Sequence, residues 1–297
     1  MSGLMPVAVQ DDNFEEFVSN WPKFKERLVV FLGAGASIGA KNRGGRPLLN
    51  AYELRNELWA ELKADNKASF DPAELRLMSL EHAAAIIEAK VGRTVLSEQL
   101  LNLFRCDLPL RQHVALPHLR PRSVFTTNYD ELVELGYKHQ LNQLDVICRD
   151  RIPVAGQSVL YKPHGSLSHA NQPVGKGGLV ITQFDYLEMI ADYREMLRRS
   201  MTDFGGTCVL VVGYSFGDMD IGAELYRLRK NHGIPWYAIF PRNDVSVKKM
   251  YSKRFEIEQI NLTFEQFLSE LDKRVDFLPA DRKHDQKAEM RSRNIIQ

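Results

Sequence analysis

The chain has 297 residues, 44% of them hydrophobic and 26% charged, with 39 Lys and Arg against 38 Asp and Glu. That length suits one large domain, or one domain with a minor lobe, and the composition is that of a globular protein able to bury its core without staples. A formal charge of +1 argues against a broad nucleic-acid-binding face, and no direct nucleic-acid binding is expected.

The three cysteines, Cys106, Cys148 and Cys208, form no C-x-x-C pair, which argues against a disulfide framework and against a cysteine zinc site. Cys208 opens the apolar run through Val212 and reads as a small core residue. The N-terminal stretch carries Asp11, Asp12, Glu15 and Glu16 and lacks a signal peptide's apolar region. No stretch approaches the roughly 18 apolar residues that a membrane span needs. A cytoplasmic protein free of membrane is the expectation.

Short β-branched runs alternate with amphipathic segments, which predicts a Rossmann-like α/β fold: a parallel sheet with helices on both faces and a helical insertion. The first strand, Leu28 to Leu32, runs straight into Gly33-Ala34-Gly35-Ala36-Ser37. Glycines let a backbone approach a pyrophosphate closely, and turn N–H groups can donate to its oxygens. The third glycine of the common dinucleotide fingerprint would fall at Ile38, so this loop alone reads equally as a nucleotide site or a tight turn. Lys41 to Pro47 looks irregular.

A helix is predicted over Asn50 to Ala64, with Asn50 as its cap and Glu53 as the capping-box partner. Further helices are predicted over Glu81 to Lys90 and Thr94 to Phe104, so that residues 50–120 form a helical layer or small lobe. The second strand, Ser123 to Thr126, leads into Thr127-Asn128-Tyr129-Asp130 and a helix over Glu131 to His139. Asn128 can serve a ligand or cap that helix.

The third strand, Val159 to Tyr161, leads into Lys162-Pro163-His164-Gly165-Ser166; an irregular stretch, Ser168 to Gly178, follows. A strand over Leu179 to Ile181 and a helix over Phe184 to Ser200 come next, the latter placing Tyr186, Met189, Tyr193 and Met196 at core-packing spacing. The strand Val209 to Val212 leads into Gly213-Tyr214-Ser215-Phe216-Gly217-Asp218, where Asp218 and Asp220 read as caps of a helix over Ile221 to Asn231. A strand over Trp236 to Phe240 and a helix over Phe264 to Arg274 complete a domain spanning 1–275, and 276–297 form a charged helix or tail.

Ligands bind beyond the carboxyl ends of strands in an open parallel sheet, and four such ends here carry Gly, Ser, Asn or His. Taken together and in order, these four motifs resemble the sirtuin superfamily, specifically its bacterial SIR2-like branch. Gly33 to Ser37 looks like the family's G-A-G-x-S phosphate loop and Thr127 to Asp130 like its T-x-N-x-D motif. His164-Gly165-Ser166 is similar to its catalytic H-G motif, and Gly213-Tyr214-Ser215 to its G-x-S adenosine-side loop. Ile181 to Tyr186 also resembles a segment common in the branch, and the likeness spans roughly residues 28 to 245.

The resemblance implies cleavage of the nicotinamide–ribose bond of NAD+, without metal, by a glycohydrolase that serves as the NAD+-depleting effector of an antiphage system. His164, Asn128 and Asp130 would form the catalytic set, Asp130 by orienting neighbouring groups or capping a helix. Gly33, Ala34, Gly35, Ala36 and Ser37 would hold the diphosphate, Asn128 the water or ribose, and Gly213 and Ser215 the adenosine side.

Nicotinamide leaves as a neutral molecule, so the chemistry asks for a positioned nucleophile and a proton acceptor, and imidazoles exchange protons near neutral pH. The family's four-cysteine zinc module is missing, and the segment from His164 to Gly213 is short for an acyl-lysine groove. A protein deacylase, or a silent subunit sensing NAD+ or ADP-ribose, stands as the alternative. Since a free hydrolase would be toxic, control by homo-oligomerisation or by a separately encoded partner is expected; by resemblance, that partner is a HerA-like ATPase or an Argonaute-type protein.

Overall fold

The computed structural model describes residues 11–64, 78–140, 143–149, 151–189, 208–216, 219–231, 235–241 and 245–280. Expectations for Tyr193, Met196, Gly217, Asp218 and most of the charged tail lie outside the described residues. Seven strands form one parallel sheet in the order β3-β4-β2-β1-β5-β6-β7. They are β1 Val29–Leu32, β2 Ser123–Thr126, β3 Leu144–Ile147, β4 Ser158–Tyr161, β5 Val209–Val212, β6 Trp236–Ile239 and β7 Ile257–Ile260.

The helices are α1 Asp12–Phe24, α2 Ala51–Ala64, α3 Leu80–Val91, α4 Arg93–Phe104, α5 Arg111–Ala115, α6 Leu132–His139, α7 Met219–Asn231, α8 Val245–Met250 and α9 Phe264–Val275. Residues 183–189 are also helical.

Strand side chains alternate between faces, and the two faces carry separate cores. Val30, Leu32, Val124, Leu160, Leu210, Val212 and Tyr237 pack with aromatics of α1 and α9 and with Val133 and Tyr137 of α6. Val29, Phe31, Phe125, Tyr161, Val209, Val211 and Trp236 pack with Ile221 and Leu225 of α7 on the other face. The predicted two-sided parallel α/β architecture is therefore present.

Three differences from the sequence reading have physical causes. The helix α1 was not foreseen, although Phe14, Phe17, Trp21 and Phe24 form a stripe at helical spacing and Asp11 caps Phe14 N–H at 3.0 Å. Leu179–Ile181 is buried and extended but joins no strand ladder; Val180 N–H donates to His164 O at 3.0 Å instead. The strands at the two edges, β3 and β7, were also not foreseen because polar residues interrupt them. Asp145 is buried but accepts from Arg151 and from Val154 N–H at 2.7 Å, and Gln259 is buried with its amide on Phe240 O at 3.2 Å.

The helices α2, α3 and α4 share a third cluster, which includes Leu54, Leu58, Trp59, Ile87, Leu100 and Phe104. It closes over Leu167, Ala170, Leu179 and Ile181, so these helices rest on the chain that follows β4. Asn50 accepts from Glu53 N–H at 3.0 Å and Glu53 from Asn50 N–H at 2.9 Å, the predicted capping box. Residues 41–47, which read as irregular, form a small hairpin. Asn42 at its base donates to Asn102 O at 3.0 Å and Leu103 O at 3.2 Å.

His113 of α5 is buried, and its Nδ1 finds no partner among the described residues. Burial lowers its pKa from 6.5 to about 3, so the folded protein keeps the ring neutral. The unfolded chain takes up a proton below pH 6.5 that the folded chain refuses until about pH 3, so this contribution to stability is lost as pH falls through that window. The loss approaches about 1.4 kcal/mol per pH unit. Urea unfolding of His113→Leu should show a slope shallower by about that amount between pH 6 and 4. Equal slopes in variant and parent would contradict this account.

Candidate active site

The strand order reverses at β1. After β1 the chain lays down β2, β3 and β4 on one side, then returns to place β5 against the other edge of β1. Crevices at such switch points, beyond the strand carboxyl ends, are where α/β sheets hold ligands. The loops after β1 and β5 meet there. Gly33 N–H donates to Val212 O and Gly35 N–H to Gly213 O, both at 2.9 Å.

These glycines have a steric reason. A Cβ on Gly35 would stand 2.6 Å from Gly213 Cα, and one on Gly213 would stand 2.4 Å from Gly35 C. The two loops thus need glycine in order to touch each other. Ala34 and Ser215 are exposed beside the half-buried Gly35 and Gly213, whereas Ala36 is buried.

Ser37 is buried with its hydroxyl turned inward, so only its backbone is left to meet a diphosphate. That hydroxyl donates to Asp130 Oδ2 at 2.9 Å and accepts from Asn128 Nδ2 at 3.1 Å. Asn128 Nδ2 also donates to Gly33 O at 3.1 Å. A carbonyl can only accept, which fixes the orientation of the amide and leaves Oδ1 without a protein partner among the described residues. Asn128 therefore offers a ligand an acceptor.

Asp130 is buried, and its Oδ1 accepts from Leu132 N–H at 3.1 Å at the start of α6. Burial pushes its carboxyl pKa up, against Lys162 and the donors from Leu132 and Ser37. Its observed work is to hold Ser37 and α6 in place. Asn128 itself makes no helix cap.

The register places the remaining groups. Phe31, Phe125 and Tyr161 form one row across β1, β2 and β4, and Val211 joins it on β5. Three residues along the chain from that row come Ala34, Asn128, His164 and Tyr214, in the loops that follow four adjacent strands. Tyr214 is anchored by its ring on Phe31, 4.7 Å between centroids.

His164 is 6% exposed and sits at the third position of the turn Lys162-Pro163-His164-Gly165, closed by Gly165 N–H to Lys162 O at 3.0 Å. Gly165 has φ of +82°, and a Cβ there would lie 2.2 Å from Gly178 O, so the residue after His164 has to be glycine. The ring of Tyr186 meets His164 edge-on at 5.5 Å, with its hydroxyl 3.5 Å from Nε2. Tyr186, read from sequence as core packing, does pack against the core, but its hydroxyl also reaches the site; Met189 lies in the core as expected.

Tyr186 is held by a capping box. Thr182 N–H donates to Asp185 Oδ2 at 2.8 Å and Asp185 N–H to Thr182 Oγ1 at 3.1 Å. Arg93 at the start of α4 grips the same carboxylate at 2.8 Å. Beneath these loops lies a residue that sequence reasoning missed. Lys162 is fully buried, with Nζ 2.6 Å from Asp130 O and 2.8 Å from Glu134 Oε1. Burial alone would lower the pKa of its ammonium, but the carboxylates of Glu134 and Asp130 outweigh burial and the net shift is upward.

The crevice suits an anionic dinucleotide. It has glycine loops at a switch point, and the carboxylate of Asp130 is turned inward. The described residues contain no group of three or more His, Cys, Asp or Glu able to hold a metal. The cysteines are buried and free.

Residues 122–264 match the family model of the SIR2-like domain. The chain is 26% identical over 69% of its length to an NAD(+) hydrolase ThsA of Acinetobacter baumannii, and covers 40% of that protein. It is 24% identical over 72% of its length to the ThsA of Bacillus cereus, covering 43% of it. With defense-associated sirtuin 2 of Bacillus subtilis it shares 26% identity over 69% of its length, covering 19% of that protein. The chain thus spans less than half the length of these relatives.

A solved structure reported as "Structural Basis for the Mechanism and Regulation of Sir2 Enzymes" superposes with a TM-score of 0.50 at 17% identity, covering 90% of this chain and 98% of that one. No described helix is long and apolar enough to cross a membrane. In its motifs, its sheet and these matches, the chain is similar to SIR2-like domains, with the family match over residues 122–264.

Proposed function

We propose that this chain is an NAD+ glycohydrolase that releases nicotinamide and ADP-ribose, acting as the NAD+-depleting effector of an antiphage defence system. The observation that carries the reading is the set of Ala34, Asn128, His164 and Tyr214 in the loops that follow four adjacent strands. The printed names of the relatives, NAD(+) hydrolase and defense-associated sirtuin, support it.

The reaction breaks the bond between ribose C1′ and the nicotinamide nitrogen. The bonding pair goes to nicotinamide, which leaves uncharged, so no acid is needed at the leaving group. Water forms the new bond to C1′ and gives its proton to His164. Asn128 Oδ1 accepts a hydrogen bond from that water or from a ribose hydroxyl. Gly33 to Ser37 hold the diphosphate through the backbone, and Gly213 and Ser215 line the adenosine side.

Purified protein incubated with NAD+ tests this. Nicotinamide release without any acylated peptide is the expected result. Release only when such a peptide is present would make the chain a deacylase, and binding without turnover would make it a sensor. Control is proposed to come from self-association, or from a separately encoded HerA-like ATPase or Argonaute-type protein. Sedimentation velocity alongside the activity assay should find the active species larger than one chain; a fully active lone monomer would refute that.

A further inference from the structure

The last residue pair joining β2 to β4 is Phe125 with Tyr161. Beyond it the sheet ladder no longer sets the distance between the two chains, yet Asn128 and His164 lie three residues further on. Lys162 spans that gap. It is the first residue of the turn carrying His164, and its Nζ donates to Asp130 O at 2.6 Å and Tyr129 O at 3.3 Å, the two residues that follow Asn128. The third ammonium proton goes to Glu134 Oε1 at 2.8 Å, so all three donors have acceptors.

Burying an ammonium is costly unless it is fully paired, and a methionine would fill the same volume without that cost. The retained charge points to a role beyond packing. Ser166, two residues past His164, lies 3.5 Å from the same Glu134 carboxylate and so shares the anchor.

We propose that Lys162 is a positioning residue, whose ammonium holds the loop bearing Asn128 against the turn bearing His164 so that amide and imidazole address one reacting centre. Its kinetic consequence rests on the hydrolase reading; the tether itself does not. The competing account is that Lys162 only balances the charge of Glu134.

Lys162→Met combined with Glu134→Gln removes both charges and separates the two accounts. The melting temperature of the double variant should recover most of what Lys162→Met alone loses. Its kcat for nicotinamide release should stay about 10- to 100-fold below wild type, with KM little changed, because small misplacements of reacting groups cost that much. The side-chain amide signal of Asn128 in a 15N spectrum should shift and broaden in the same variant. Full kcat, or an unmoved Asn128 signal, at a wild-type melting temperature would overturn the proposal. If the wild-type protein releases no nicotinamide, the hydrolase reading fails, while the Asn128 signal still decides the tether. Lys162→Gln, read by the same two measurements, serves if the double variant does not fold.

Discussion

His164→Gln should lower nicotinamide release from NAD+ by about 10³-fold, within the range that a general base contributes. Glutamine keeps the position polar and can still hydrogen-bond the Tyr186 hydroxyl, which lies 3.5 Å from Nε2 in the parent. It cannot take up a proton at neutral pH. His164→Ala should therefore lose about as much as His164→Gln, and both should melt within a few degrees of wild type. A glutamine variant retaining more than about a tenth of the activity would show that the imidazole does not accept the proton.

Asn128→Asp should be nearly as severe, about 10²- to 10³-fold in kcat, although it replaces one atom. The Asn128 amide nitrogen donates to Gly33 O and Ser37 Oγ, and Ser37 Oγ in turn donates to Asp130. A carboxylate there has no proton for the Gly33 carbonyl, and it sets a second anion close to the buried Asp130. The loop after β1 should lose its hold on the loop after β2. Asn128→Ala removes the amide without adding charge, so it should lose turnover but melt higher than Asn128→Asp. A wild-type melting temperature for Asn128→Ala would show that the amide's donors do not brace the glycine loop.

The sheet was legible because its inner strands are buried on both faces and read as unbroken apolar runs, such as Val29–Leu32 and Val209–Val212. The edge strands β3 and β7 carry Asp145 and Gln259, polar residues that break the apolar run and find their hydrogen-bond partners only in the fold. The stripe of α1 was present in the sequence and could have been read. Gly35 stood out, but its reason did not: sequence cannot tell that a glycine 178 positions away needs the same space. Lys162 went unnoticed because a lysine in a polar motif reads as solvent-facing, and only the fold reveals its complete burial. The contact between Tyr186 and His164 was hidden because helical spacing shows which face a residue occupies, not what its hydroxyl meets.

The pairing of Val29 with Val209 also sets when the crevice can exist. During synthesis β1 emerges early, but its neighbour on one side and the Gly213 loop appear only after most of the intervening chain has been made. Such long-range pairing is slow and late in folding. A nascent chain cut short before residue 213 therefore lacks half of the crevice, so on the hydrolase proposal prematurely terminated translation products should spare the cell's NAD+ pool.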